Sequence, residues 1–165
     1  MHKVVQVFLI IDCYVHDIMS MKGDCMDRKN VITSLDLRSK DEVLNFLSNK
    51  ACELGITSDA NAIKADLVSR EDEMSTALIE PLAIPHSKSK NVLKNTIIFL
   101  RLNELIDWSG SNVKIIIGIF SKTEGGDHIN TLASLSRKLI DKEFLKFLQT
   151  ASEEDIYEKL KEIGE

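Results

Sequence analysis

The chain has 165 residues, 44% of them hydrophobic, and carries a net charge of −5. That length fits one domain that buries a core without disulfides or metal, and the acidic balance argues against binding a nucleic-acid phosphate backbone. The three cysteines, Cys13, Cys25 and Cys52, are odd in number and lack CxxC spacing. They read as reduced thiols of a cytoplasmic protein, not as a disulfide framework or a zinc site.

Residues 1–26 form an atypical N-terminal extension to a domain over 27–165. The apolar run Val4–Ile11, broken by Gln6, falls far short of the roughly 20 residues a membrane span needs. Lys3 is the sole basic residue before it and no small-residue cleavage site follows, so it is a poor secretion signal. Two readings stand: translation starting near Met21 or Met26, or a strand over Val4–Ile11 added at a sheet edge.

Regular structure is expected from Ser39 onward. Ser39 is placed to cap a helix with Val43, Leu44, Leu47, Ala51 and Leu54 at helical spacing, and Gly55 is its stop. Ser58 or Asp59 starts a second helix through Ile63, Leu67 and Val68 that ends near Arg70-Glu71. Leu82–Ile84 reads as a short strand that Pro85 ends, because proline cannot donate to a sheet ladder. Asn95–Leu102 and Val113–Phe120 are continuously apolar, the pattern of strands buried on both faces, with a turn at Asp107-Trp108-Ser109-Gly110 between them. Three helices follow, over about Asp127–Ile140, Lys142–Thr150 and from Ser152 through Ile156, Leu160 and Ile163, the last opened by an approximate capping box. Helices before and after a few buried strands predict an α/β three-layer sandwich, a small mixed sheet with helices on both faces.

Chemistry concentrates at His86, which follows the apolar strand and Pro85. Imidazole is nucleophilic near neutral pH when it is unprotonated, and a guanidinium clamps phosphoryl oxygens with two parallel hydrogen bonds. Arg70 is the candidate clamp. His128, at the start of the predicted helix after Gly125-Gly126, is placed where unpaired N–H groups favour an anion. Thr76, with Ser75, is a weaker candidate for a hydroxyl contact to phosphate. Glu71 is expected to orient Arg70 or close its helix, since its charge would repel phosphate. The segment His86–Lys90 reads as a solvated loop, and Trp108 as a packing residue. Zinc wants three or four suitably spaced ligands, and Glu71, Glu124 and Asp127 offer no such spacing beside the two histidines, so no metal is expected.

The order Arg70-Glu71, then Leu82-Ala83-Ile84-Pro85-His86, two buried strands, and a Gly-Gly loop into His128-Ile129-Asn130-Thr131-Leu132 resembles the enzyme IIA domains of the fructose/mannitol class. These belong to the bacterial phosphoenolpyruvate-dependent sugar phosphotransferase system and include a nitrogen-regulatory branch. The resemblance runs from about Asn30 to Ile163. It implies a phosphotransferase without cofactor: His86 takes a phosphoryl group on Nε2 from phosphorylated HPr and passes it to a cysteine of a cognate enzyme IIB that serves a membrane permease. Arg70 and His128 would hold the phosphoryl group. The alternative it implies is a regulator whose phosphorylation state controls binding to partner proteins. The chain departs from the family where Thr76-Ala77-Leu78-Ile79-Glu80-Pro81 replaces a glycine-rich loop, and where Ser87 replaces a common glycine.

Overall fold

The structure, a computed structural model, describes residues 26–77, 79–123 and 141–164. The predicted strand at Val4–Ile11, the predicted helix over 127–140 and His128 lie outside the described residues.

The described chain holds five strands, β1 (Val31–Leu35), β2 (Leu82–Ala83), β3 (His86–Lys88), β4 (Thr96–Trp108) and β5 (Ser111–Ser121). Four helices accompany them, α1 (Lys40–Glu53), α2 (Ala60–Glu73), α3 (Lys142–Thr150) and α4 (Glu153–Gly164). The sheet runs β1-β4-β5-β2, with β3 also on β5. The β4–β5 pair is antiparallel, and β1, β2 and β3 run parallel to their neighbours, so the sheet is mixed as predicted.

Alternation along β4 explains the layering. Ile97 and Phe99 point into a cluster with Phe144, Leu145 and Leu148 of α3 and Ile156, Tyr157 and Leu160 of α4. Ile98, Leu100 and Leu102 point into the opposite cluster, with Val43, Leu44, Leu47 and Ala51 of α1 and Ile63 and Leu67 of α2. A strand covered on both faces has no polar side to show, which is why β4 and β5 read as unbroken apolar runs.

The helix boundaries follow local chemistry. Ser39 Oγ accepts from the Glu42 N–H at 3.1 Å, and Asp59 Oδ1 accepts from the Ala62 N–H at 3.1 Å, each satisfying an orphan donor of a first turn. Beyond α1, Gly55 takes a φ of 73°, a left-handed conformation that a side chain would penalise. At the end of α3, Arg101 Nη1 donates to the carbonyls of Leu148 and Ala151 at 3.0 and 2.7 Å.

Three features differ from the sequence reading. Strand β1 was not expected: its five residues lack alternation, and Ser34 adopts a φ of 58° where the register with β4 shifts. The hairpin is also longer than expected. Strand β4 continues to Trp108, and only Ser109 and Gly110, at φ 54° and 93°, form the turn. Pro85 interrupts pairing without ending it, since its carbonyl still accepts from the Ile119 N–H at 3.0 Å and the chain rejoins β5 as β3. Among the described residues no helix is long and apolar enough to cross a membrane.

Candidate functional site

Helix α2 crosses beside β3, and their junction is an open cleft of about 220 Å³. Asp66, Ser69, Arg70 and Glu73 line it from α2, and His86, Ser87, Lys88 and Ser89 from β3 and its end. Arg70 and His86, separated by the whole 74–85 connection in sequence, therefore share one small polar space.

His86 sits first in β3, with its side chain 1% exposed. Its Nδ1 lies 2.8 Å from the Ile84 carbonyl oxygen. A carbonyl only accepts, so Nδ1 carries the proton, and the neutral ring keeps its in-plane lone pair on Nε2. Burial pushes the imidazole pKa down to about 4; the bond to Ile84 opposes that shift, and the Arg70 charge adds to it. The ring is thus held neutral at physiological pH, the state a nucleophilic imidazole needs.

Arg70, in the last turn of α2, is half-buried and donates from Nη1 to the Met74 carbonyl at 2.9 Å. Glu71, expected to orient Arg70 or close its helix, bonds the connection that follows α2 and Trp108, not Arg70 itself. It is buried and accepts from the Thr76 N–H at 3.2 Å, from the Thr76 hydroxyl and from the Trp108 indole N–H at 3.1 Å. Thr76 therefore directs its hydroxyl to Glu71 and does not line the cleft, while its carbonyl accepts from the Ile84 N–H at 3.2 Å.

The segment after His86 is also more ordered in its bonding than a solvated loop. Ser87 Oγ, Ser89 Oγ and Asn91 Nδ2 all donate to Asp66 Oδ2, at 3.1, 2.6 and 3.2 Å. Ser87, at the position of the family glycine, is buried by this knot. Nothing local in the sequence marks Asp66, because its partners lie 21 to 25 residues away. The alternation Ser87-Lys88-Ser89 was the available signal, since a strand sends both serines to one side.

Comparison with known proteins gives the same frame. Residues 24–163 match the family model described as Phosphoenolpyruvate-dependent sugar phosphotransferase system, EIIA 2. The fructose-specific EIIA component of Haloferax volcanii is 31% identical over 148 residues, covering 82% of this chain and 96% of that protein. Multiphosphoryl transfer protein 2 of Escherichia coli is 34% identical over 122 residues, 73% of this chain, and the match spans only 15% of that relative's length. Among solved structures, the nitrogen regulatory protein IIA-Ntr of Neisseria meningitidis superposes with a TM-score of 0.73 at 22% identity, covering 82% of this chain and 96% of that one. The Escherichia coli enzyme IIAMTL, solved in complex with phosphorylated enzyme IIBMTL, gives 0.69 at 22% identity, covering 83% and 97%.

Proposed function

Since the chain belongs to the EIIA 2 family of the phosphoenolpyruvate-dependent sugar phosphotransferase system, whose members are phosphotransferases that carry a phosphoryl group on histidine, we propose that His86 is its phosphoryl carrier. The observation that carries this reading is a neutral imidazole, proton fixed on Nδ1 by the Ile84 carbonyl, in the same cleft as Arg70.

In the proposed reaction, Nε2 of His86 attacks the phosphorus of phosphorylated HPr, and the HPr histidine leaves as the old bond breaks. The transition state is loose, so the protein's contribution is to align the nitrogen and offset charge on the equatorial oxygens. Arg70 supplies that charge from across the cleft, and Lys88 adds a second cation at its rim. Phosphorylation leaves Nδ1–H bonded to Ile84, so the ring need not turn over. In the second half-reaction a cysteine thiolate of a cognate enzyme IIB attacks the same phosphorus and His86 departs as neutral imidazole. His128 is proposed as a further hydrogen-bond donor to the phosphoryl group. Thr76 is assigned a supporting part through Glu71 in place of a contact with phosphate.

The test is intact-protein mass after incubation with phosphoenolpyruvate, enzyme I and HPr, with His86→Ala alongside. One acid-labile phosphoryl group on the wild type and none on the variant is expected; an unmodified wild type beside phosphorylated HPr would overturn the reading. Adding enzyme IIB proteins of the fructose and mannitol class then separates transport from regulation. Discharge to an IIB cysteine is expected, and a stable phosphoprotein would favour control of partner binding.

A further inference from the structure

Glu71 is the third member of the stripe Ile63, Leu67, Glu71, the buried residues of α2. A carboxylate there is disfavoured twice, by burial and by the negative end of the helix dipole in the last turn. Generic packing would prefer an apolar residue. Three donors nevertheless converge on it: the Thr76 N–H, the Thr76 hydroxyl and the Trp108 indole N–H.

Those donors fix the connection 74–77, and from it two chains of bonds reach the cleft. The Met74 carbonyl receives Arg70 Nη1 at 2.9 Å. The Thr76 carbonyl receives the Ile84 N–H at 3.2 Å, and the Ile84 carbonyl in turn receives His86 Nδ1–H at 2.8 Å. Trp108, fully buried at the end of β4, ties the arrangement to the long hairpin.

We propose that Glu71 is a positioning residue for phosphoryl transfer: by fixing residues 74–77 it sets both the placement of the Arg70 guanidinium and the Nδ1–H tautomer of His86. The role in transfer rests on the phosphocarrier reading; the role in setting the tautomer does not. A glutamine at this position keeps the size but turns an N–H₂ toward donors, so at least one of the three bonds is lost.

The experiment compares full-length wild type with Glu71→Gln, Thr76→Val and Trp108→Phe, the last two each deleting one donor while leaving the carboxylate. Single-turnover transfer from phosphorylated HPr is measured across HPr concentrations, with ¹⁵N NMR of the His86 ring and thermal unfolding on the same samples. Glu71→Gln is expected to slow transfer at saturating HPr by about 10²-fold, the scale of a small misplacement of reacting groups. Half-saturation is expected to move less than about threefold, since Glu71 is buried and offers a docking partner almost no surface. The His86 ring should pass from a single Nδ1–H tautomer to a mixture, a change that loss of stability alone does not produce in the folded protein. Thr76→Val and Trp108→Phe should shift both readouts in the same direction and by less, and they carry the test if Glu71→Gln does not fold. Wild-type transfer rates with an unchanged ring spectrum in the folded variants would overturn the proposal. If wild type itself takes no phosphoryl group, the phosphocarrier reading fails, and the ring spectrum alone decides whether Glu71 sets the tautomer.

Discussion

Helices α1 and α2 are both 14 residues long and pack on the same face of the sheet, yet they spend their inward positions differently. Helix α1 buries Val43, Leu44, Leu47 and Ala51, with the Ser48 hydroxyl satisfied by the Leu44 carbonyl at 2.8 Å. Leu47 packs so closely on β5 that a Cβ at Gly118 would sit 2.9 Å from its Cδ2. Helix α2 buries only Ile63 and Leu67 as apolar residues and gives its third buried position to Glu71. The flank Asp66, Ser69, Arg70 and Glu73 lines the cleft. One helix holds the sheet, and its neighbour gives up apolar contact to hold the chemistry.

That division can be broken from either side. Arg70→Ala, which removes the charge facing the transferred group, should reduce phosphoryl transfer by about 10³-fold, the lower range for an arginine that stabilises such a transition state. Single-turnover kinetics would read it, with the unfolding midpoint almost unchanged. Leu47→Ala on the other helix should do the reverse. Denaturant unfolding should show a loss of about 3 kcal/mol for the cavity, while transfer per folded molecule stays at the wild-type rate.

Acid should separate site from scaffold more gently. The His86 pKa falls from 6.5 in the unfolded chain to about 4 in the fold, so below pH 6.5 the unfolded state binds the extra proton. The stability His86 contributes is therefore complete above that pH and is lost as pH falls toward 4, by up to about 3 kcal/mol. Unfolding curves of wild type and His86→Ala should differ in slope across that window and run parallel above it. The smallest effect should come from the caps. Ser39→Ala and Asp59→Ala should each cost about 1 kcal/mol of stability, and neither should alter transfer.

The sequence made α1, α3 and the two long strands readable because periodicity and caps agree there: Ser39 with Glu42, Asp141 with Glu143, unbroken isoleucines where both faces are covered. It hid β1, where Ser34 breaks the alternation, and the outer part of the hairpin, where Asn103 and Glu104 are exposed and polar. Within the site, His86 and Arg70 were legible as residue types with a spacing. What joins them was less so, because the Asp66 knot and the reach from Glu71 to Trp108 depend on contacts across 21 to 37 residues. Glu71 did leave one trace, a carboxylate at the i+8 position of an otherwise apolar stripe.

The most direct test of the account is the position of the phosphoryl group on the His86 ring, read by ¹⁵N and ³¹P NMR after phosphorylation by HPr. A phosphoryl group on Nε2, with the Nδ1 proton still bonded to Ile84, is the predicted result. Phosphorylation at Nδ1 of His86, or at any other residue with His86 unmodified, would contradict it.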